Sequence, residues 1–128
     1  MSHEAFMRQV AEAARIEPPA AERAIEATLV TVGERISAGE AADLARHLPD
    51  ELAPLIVREG RAQAFDADEF FRRVAEREGT DPGTAEGHAR AVVGALALRV
   101  GRREFGEMLA QLPRTLRERL MTPAATSA

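Results

Sequence analysis

The sequence predicts an all-α protein of eight helices, formed by two pseudo-symmetric four-helix repeats that pack in one compact domain. Three observations support this fold class. The two halves of the 128-residue chain match each other at a constant offset of 64 residues. Apolar residues recur at helical spacing, and no run of alternating β-branched residues competes as a strand. A chain of this length fits a single domain.

The internal match needs no gap. The segment FMRQVAE at 6–12 aligns with FFRRVAE at 70–76, and Pro18 aligns with Pro82. A constant register over a whole half is harder to obtain by chance than any single match in a chain rich in Ala, Arg and Glu. Because the chain contains an internal repeat, the fold to be predicted is that of one half of about 60 residues, which is present twice.

The domain boundaries follow from this unit. We assign one helical domain to residues 1–121, with repeat one at 2–59 and repeat two at 66–121. The connecting segment is too short to be an independent linker. The tail at 122–128 has no apolar periodicity, and we expect it to be frayed.

The first two helices of each repeat have recognisable starts. Ser2 and Asp66 stand at cap positions before the first helix, where a short polar side chain can accept a hydrogen bond from the first turn. The second helix begins at Pro18 or Pro82, because proline is favoured in the first turn. Its apolar positions recur every three or four residues. They are Ile25, Leu29, Val32 and Ile36 in repeat one, and Ala89, Val93, Leu96 and Val100 in repeat two.

The third helix of repeat one begins near Ser37, and Glu40 suits a capping box with it. Each third helix then runs into a Leu-Pro-x-x-Leu motif, at residues 48–52 and 112–116. Proline disfavours helical dihedrals in the residue before it and suits the first turn of the helix that follows. The motif therefore predicts a helix corner with buried leucines in each repeat.

Composition excludes several classes of function. The chain has no Cys, so it has neither disulfides nor a thiolate site. Its 17 basic residues, all Arg, are outnumbered by 21 acids, and no Tyr or Trp is present for base stacking, so we expect no nucleic-acid partner. No apolar run is long enough to cross a membrane, and the N-terminus does not resemble a signal peptide. We expect a cytoplasmic protein with no membrane partner.

No grouping of residues predicts catalysis, a metal or a cofactor. The three histidines His3, His47 and His88 do not share helical spacing. His47 could meet Asp43 and Asp50, but a surface histidine near a helix end is the simpler interpretation. Acids such as Glu40 and Glu104 are present in both halves, where paired carboxylates could perform acid–base chemistry; capping explains Glu40 more simply. We assign no catalytic, cofactor-binding or metal-binding residue.

Positions that are apolar in only one repeat are more informative. Leu55, Leu98 and Phe105 align with Arg119, Glu34 and Ala41. Packing that both repeats share cannot require them. We therefore expect these three residues to form the contact between the repeats or, if they are exposed together, a surface for a partner.

The two Phe-x-x-x-Val-Ala starts, with GERISAGEAADLARHLP at 33–49 and RREFGEMLAQLPRTLRERL at 102–120, resemble the bacterial family catalogued as domain of unknown function 2267. The resemblance covers residues 4–121 and implies two helical repeats with an acid-containing third helix and a Leu-Pro corner. Fusion of some members to nucleotide-sensing domains would suit a regulatory role. An aromatic-Gly-aromatic feature of the family is reduced to VREGRAQ at 57–63.

The leading hypothesis is a non-enzymatic protein-interaction or regulatory module that binds a protein partner or a second copy of itself through a helix face. Its basis is the regular amphipathic pattern without a catalytic grouping. The alternative is a small-ligand-binding protein that uses a cleft between the two repeats, since ligand sites favour apolar clefts between elements.

Overall fold

The computed structural model describes residues 2–122, and over that range the chain is helical, without strands. The tail expected to be frayed therefore lies outside the described residues, except for Thr122. None of the helices in this range has both the length and the apolar character needed to cross a bilayer. The helices are α1 (His3–Ala14), α2 (Pro18–Arg35), α3 (Ala38–Ala45), α4 (Ala53–Ile56), α5 (Ala67–Glu78), α6 (Pro82–Ala110) and α7 (Arg114–Met121).

The expected number of eight helices is wrong, since residues 2–122 form seven. The difference lies in α6, which spans both the second and the third helix expected in repeat two. Gly101 interrupts it with φ 81° and ψ 164°, a backbone conformation that is open essentially to glycine. At the aligned position in the first half, Ser37 separates α2 from α3. A single glycine thus takes the place of a helix boundary.

The cap residues act as the sequence predicts. Ser2 Oγ accepts a hydrogen bond from the Ala5 amide at 3.0 Å, and Asp66 Oδ1 accepts one from the Glu69 amide at 2.9 Å. These bonds satisfy amides that have no partner within the helix. They explain why both α1 and α5 begin where they do.

The capping box at the start of α3 is only half formed. Ser37 Oγ accepts from the Glu40 amide at 3.1 Å, as expected. The Ser37 amide, however, donates to Gln111 Oε1 at 2.7 Å instead of to Glu40. The capping role assigned to the Glu40 carboxylate is therefore wrong, and that side chain is available for another contact.

Helices α2 and α6 form the centre of the fold. They pack on each other, and both α1 and α5 pack against the pair. Phe6 of α1 and Phe70 of α5 are fully buried in the resulting core. All four leucines of the two Leu-Pro corners are buried too, which confirms their predicted core position.

The helix bounds of the two halves correspond. Helix α5 begins 64 residues after α1 and has the same 12-residue length, and α6 begins 64 residues after α2. The last helices differ, because α4 has four residues and α7 has eight. These bounds agree with the register of the sequence match, whereas two superimposable repeats remain a prediction.

Candidate functional site

A groove of about 810 Å³ lies between α1 and α6, with the end of α7 at one side. Its floor is built mainly from small residues. Gly87, Ala91 and Gly94 recur at intervals of four and three along α6, which places them on one helix face. Ala13 faces them from α1. Small side chains on both helices leave the space between them open.

Large apolar residues border this groove. Leu98 lies one turn beyond Gly94 on α6 and is 72% exposed, and Met121 of α7 is 51% exposed. Phe105 also lines the groove, although its side chain is almost fully buried. Exposed leucine and methionine side chains beside an open groove form an apolar surface that water solvates poorly.

A second, smaller groove of about 290 Å³ lies between α2 and α5. Its lining aligns residue for residue with part of the larger groove at the 64-residue offset. Arg23, Val30 and Arg77 here correspond to Gly87, Gly94 and Ala13 there. The larger groove is open because glycine and alanine replace arginine and valine.

An ionic network occupies the α2–α5 side. Arg77 Nη1 lies 2.7 Å and Arg73 Nη1 lies 3.2 Å from Glu34 Oε1. The hydrogen bond from Arg77, followed by the attraction of both guanidinium groups, holds the pKa of Glu34 below its usual value. At the aligned positions the other groove has Leu98, Ala13 and Gln9, which cannot form such a network.

The ionisable residues that line the larger groove are Arg15, His88 and Arg90, and Arg90 pairs with Glu86 at 3.2 Å. His88 Nδ1 lies 2.5 Å from Glu78 Oε1, and burial raises the pKa of that glutamate. Arg15 ends α1 in a left-handed conformation with φ 58° and is exposed. The groove therefore combines an apolar floor with a basic rim.

The three residues chosen from the sequence do not form one patch. Leu98 and Phe105 both line the larger groove, which is bounded by helices from both halves. Leu55 is half-buried and packs against the core. Sequence reasoning did not identify the small residues of the groove, although the replacement of Arg23, Val30 and Arg77 by small residues is readable in the alignment of the two halves.

A separate group of acids lies between α3 and the last turns of α6. One carboxylate oxygen from each of Glu40, Asp43 and Glu104 lies within 4.8 Å of the others. Glu40 is only 7% exposed, and its Oε2 atom has no hydrogen-bond partner among the described residues. The same holds for the buried Oε2 atom of Glu104. Within residues 2–122, Glu40, Asp43 and Glu104 are the group of three acidic side chains whose oxygens lie close enough together to share one metal ion.

The acids of this group influence one another electrostatically. Burial, and next the adjacent Glu104 carboxyl, raise the pKa of Glu40 to about 7. Asp43 pairs with Arg46 of its own helix at 2.7 Å, and Glu107, an acid near the group, pairs with Arg103 at 3.3 Å. Burial and crowding of like charge therefore disfavour a fully ionised group unless a cation or a proton is bound.

The sequence suggests other neighbours for Asp43. His47 could have met Asp43 and Asp50, but it is exposed, in agreement with the simpler interpretation of a surface histidine, and Asp43 lies near Glu40 and Glu104 instead. The available signal was a pair of aligned motifs, Glu-x-x-Asp at 40–43 and Glu-x-x-Glu at 104–107. Periodicity within one helix could not show that the two motifs face each other.

The other histidines are also separate. His3 Nε2 lies 3.0 Å from Glu22 Oε2, which links α1 to α2, while His88 pairs with Glu78. Each of these imidazoles already has a partner that ties two helices together. Neither His3, His47 nor His88 belongs to the acidic group between α3 and α6.

Comparison with known proteins identifies the family. No curated protein matches the chain. The family model described as "Uncharacterized conserved protein (DUF2267)" matches residues 3–119. That range includes α1 to α6, most of α7 and the acidic group. It also includes every residue that lines the larger groove except Leu120, Met121 and Thr122. The chain therefore belongs to the DUF2267 family, as the resemblance in its sequence implied.

Proposed function

We propose that this protein is a non-enzymatic interaction or regulatory module that binds an acidic, amphipathic helix of a partner protein in the groove between α1 and α6. The observation that carries this proposal is the exposed Leu98 beside a floor of glycine and alanine. Small residues let a helix approach closely, and a row of them beside a large apolar side chain suits a helix laid into the groove. We expect the module to act in the bacterial cytoplasm.

Charge supports an acidic partner. Exposed Arg15 and the Glu86-paired Arg90 line the groove, and the lining contains no acid. Acidic residues that flank the apolar face of a partner helix would meet this basic rim, which favours correct orientation and fast association.

We infer further that the chain arose from two copies of one helical unit and that the groove opened as the copies diverged. The equal lengths of α1 and α5 and the aligned groove linings support this inference. In the α2–α5 copy, Glu34 and two arginines occupy the surface. In the other copy, the loss of those side chains exposed apolar surface that a partner could cover.

Site-specific photocrosslinking tests the proposal. A photoreactive phenylalanine analogue replaces Leu98 in the full chain, expressed in its natural host, and crosslinked peptides are identified by mass spectrometry. We expect one partner segment with apolar residues at helical spacing and acidic flanks. The matched control places the same analogue at Glu34, the aligned position in the ionic network, and should not capture that segment.

A double variant that changes both charge and side-chain size in the groove provides a second test. Ala13→Arg with Leu98→Glu transfers two side chains of the α2–α5 network to the groove and should abolish capture by an analogue placed at Met121. Helicity and melting temperature should stay near those of the parent, since both positions are exposed. Undiminished capture by this variant, or crosslinks with no helical pattern, would contradict the proposal.

A small ligand is the second candidate, because the groove volume of about 810 Å³ falls within the range of about 300–1,000 Å³ that is common for ligand sites. An apolar anion would suit the apolar floor and basic rim. Titration with the fluorescent dye anilinonaphthalene sulfonate, with and without Ala13→Arg and Leu98→Glu, tests this candidate. Dye binding that the double substitution leaves unchanged would rule out the groove as its site.

A further inference from the structure

We propose that Glu40, Asp43 and Glu104 bind one hard divalent cation and that this cation joins α3 to the last turns of α6. One oxygen from each residue lies within 4.8 Å of the other two. Two oxygens on opposite sides of one ion are separated by about twice the metal–oxygen distance, which is roughly 4.2 Å for Mg²⁺ and 4.8 Å for Ca²⁺. The three oxygens are therefore close enough to coordinate one ion.

Burial distinguishes this group from an ordinary acidic surface. Glu40 is more than nine-tenths buried, yet its Oε2 atom has no hydrogen-bond partner in the described chain. Glu104 also has a buried Oε2 atom in the same condition. Removing two adjacent carboxylates from water is costly, and a bound cation would compensate both side chains at once.

Neighbouring basic residues do not neutralise the charges of Glu40 and Glu104. Within residues 2–122, no arginine or histidine forms an ion pair with Glu40 or Glu104. Arg46 and Arg103 are engaged with Asp43 and Glu107 at the exposed side of the group. Glu107 follows Glu104 by one helical turn and adds negative charge next to the proposed site.

The donor set indicates which cation would bind. All three donors are carboxylate oxygens, which suit Mg²⁺, Ca²⁺ and Mn²⁺, while sites for Zn²⁺ and Cu²⁺ usually contain histidine or cysteine. The ligands come from α3 in the first half and α6 in the second. Binding would therefore stabilise the packing of the two halves against each other, independently of any partner in the groove.

Manganese is the probe for the test because bound and free Mn²⁺ are distinguished by electron paramagnetic resonance. We expect the full-length protein to bind one Mn²⁺ per chain, with competition by Mg²⁺ or Ca²⁺ and a higher melting temperature in the presence of the ion. Glu40→Gln and Glu104→Gln should each weaken Mn²⁺ affinity by at least about tenfold. Glu118→Gln, which alters an exposed acid of α7, is the control and should leave the affinity unchanged.

Binding to the unaltered protein decides the first part of the proposal, so it does not depend on how the variants fold. The proposal would be overturned if millimolar protein did not reduce the electron paramagnetic resonance signal of free Mn²⁺. Equal affinity of the unaltered protein and the two variants would also overturn it, since the ion would then lie elsewhere. If circular dichroism shows that either variant has lost its helical structure, Asp43→Asn, which alters a half-buried ligand, replaces it in the test. That variant should also weaken Mn²⁺ affinity by at least about tenfold.

Discussion

Arg15 and Gly79 occupy the same left-handed conformation at aligned helix ends. Their φ angles are 58° and 76°. At both ends the next residue completes the turn: the Ile16 amide donates to the Ala11 carbonyl, and the Thr80 amide to the Ala75 carbonyl, each at 3.0 Å. Glycine adopts this conformation without steric cost, while arginine places a Cβ too close to its own backbone. The same turn is therefore less favourable after α1 than after α5.

Two substitutions test this difference at the residue scale. Gly79→Ala should lower the free energy of unfolding by about 1 kcal/mol, because alanine is strained at positive φ. Arg15→Gly should raise it by up to about 1 kcal/mol, because relief of strain outweighs the added freedom of the unfolded chain. Urea denaturation followed by circular dichroism measures both. Destabilisation by Arg15→Gly would show that contacts of the arginine side chain outweigh the strain.

Contacts between elements depend on particular small residues. A Cβ at Gly33 of α2 would overlap the carbonyl oxygen of Ile56, at the end of α4. Glycine thus lets the short helix approach the long one at that point. At Gly106 of α6, a Cβ would have no atom within 4 Å. No close contact between elements therefore requires glycine at that position.

Alanine substitutions at these two glycines should have opposite effects. Gly33→Ala is expected to lower the free energy of unfolding by about 2 kcal/mol, since backbone atoms must shift to accept the methyl group. Gly106→Ala should raise it by about 0.5–1 kcal/mol, because alanine is the better helix former. Thermal and urea melts of the pair provide the comparison. A neutral Gly33→Ala would mean that α4 moves away freely.

The Glu34 network joins α2 to α5 and should make stability depend on acid. Arg77 and Arg73 hold the pKa of Glu34 below its ordinary value of 4.5. Since the folded-state pKa is lowered, the stabilisation is present above pH 4.5 and is lost as the pH falls through the folded value. A partly screened network of this kind contributes about 1 kcal/mol.

Glu34→Gln should therefore lower the free energy of unfolding by about 1 kcal/mol at pH 7, and this difference should shrink as the pH falls below 4.5. Urea melts at a series of pH values measure the difference between variant and parent. Glu118→Gln removes an exposed pair with Arg114 and should have no measurable effect at any pH. A difference for Glu34→Gln that persists in acid would show that the side chain contributes through packing instead of charge.

At the scale of the whole molecule, the two halves contribute to one core. Helix α1 of the first half packs on α6 as well as on α2, and α5 of the second half packs on α2 as well as on α6. Burial of Phe6 and Phe70 therefore relies on helices from both halves. A unit of about 60 residues buries too little apolar surface to be more than marginally stable alone.

Expression of residues 1–64 and 65–128 as separate chains tests this dependence. Each half alone should be largely unfolded by circular dichroism, because its apolar helix faces lack their partners. An equimolar mixture should regain helicity and melt cooperatively. The expectation fails if either half melts cooperatively by itself, since that half would then contain an independent core.

Local chemistry explains how much of the fold the sequence predicts. The caps at Ser2 and Asp66, the prolines that begin α2 and α6, and the buried Leu-Pro corners depend on residues within a few positions of one another. The helix number differed at Gly101, where glycine can stand for either a boundary or a kink. The capping role of Glu40 was wrong because a distant side chain, Gln111, took its place.

The sequence alone therefore determined the helical class, most helix starts, the register between the halves and the family. The tertiary structure alone decided where surfaces meet: the groove formed by Ala13, Gly94 and Leu98, and the acidic group that includes Glu40 and Glu104. The physical reason is range. Capping and periodicity act within one or two helical turns, whereas the spacing of carboxylates from helices distant in the chain depends on how those helices pack.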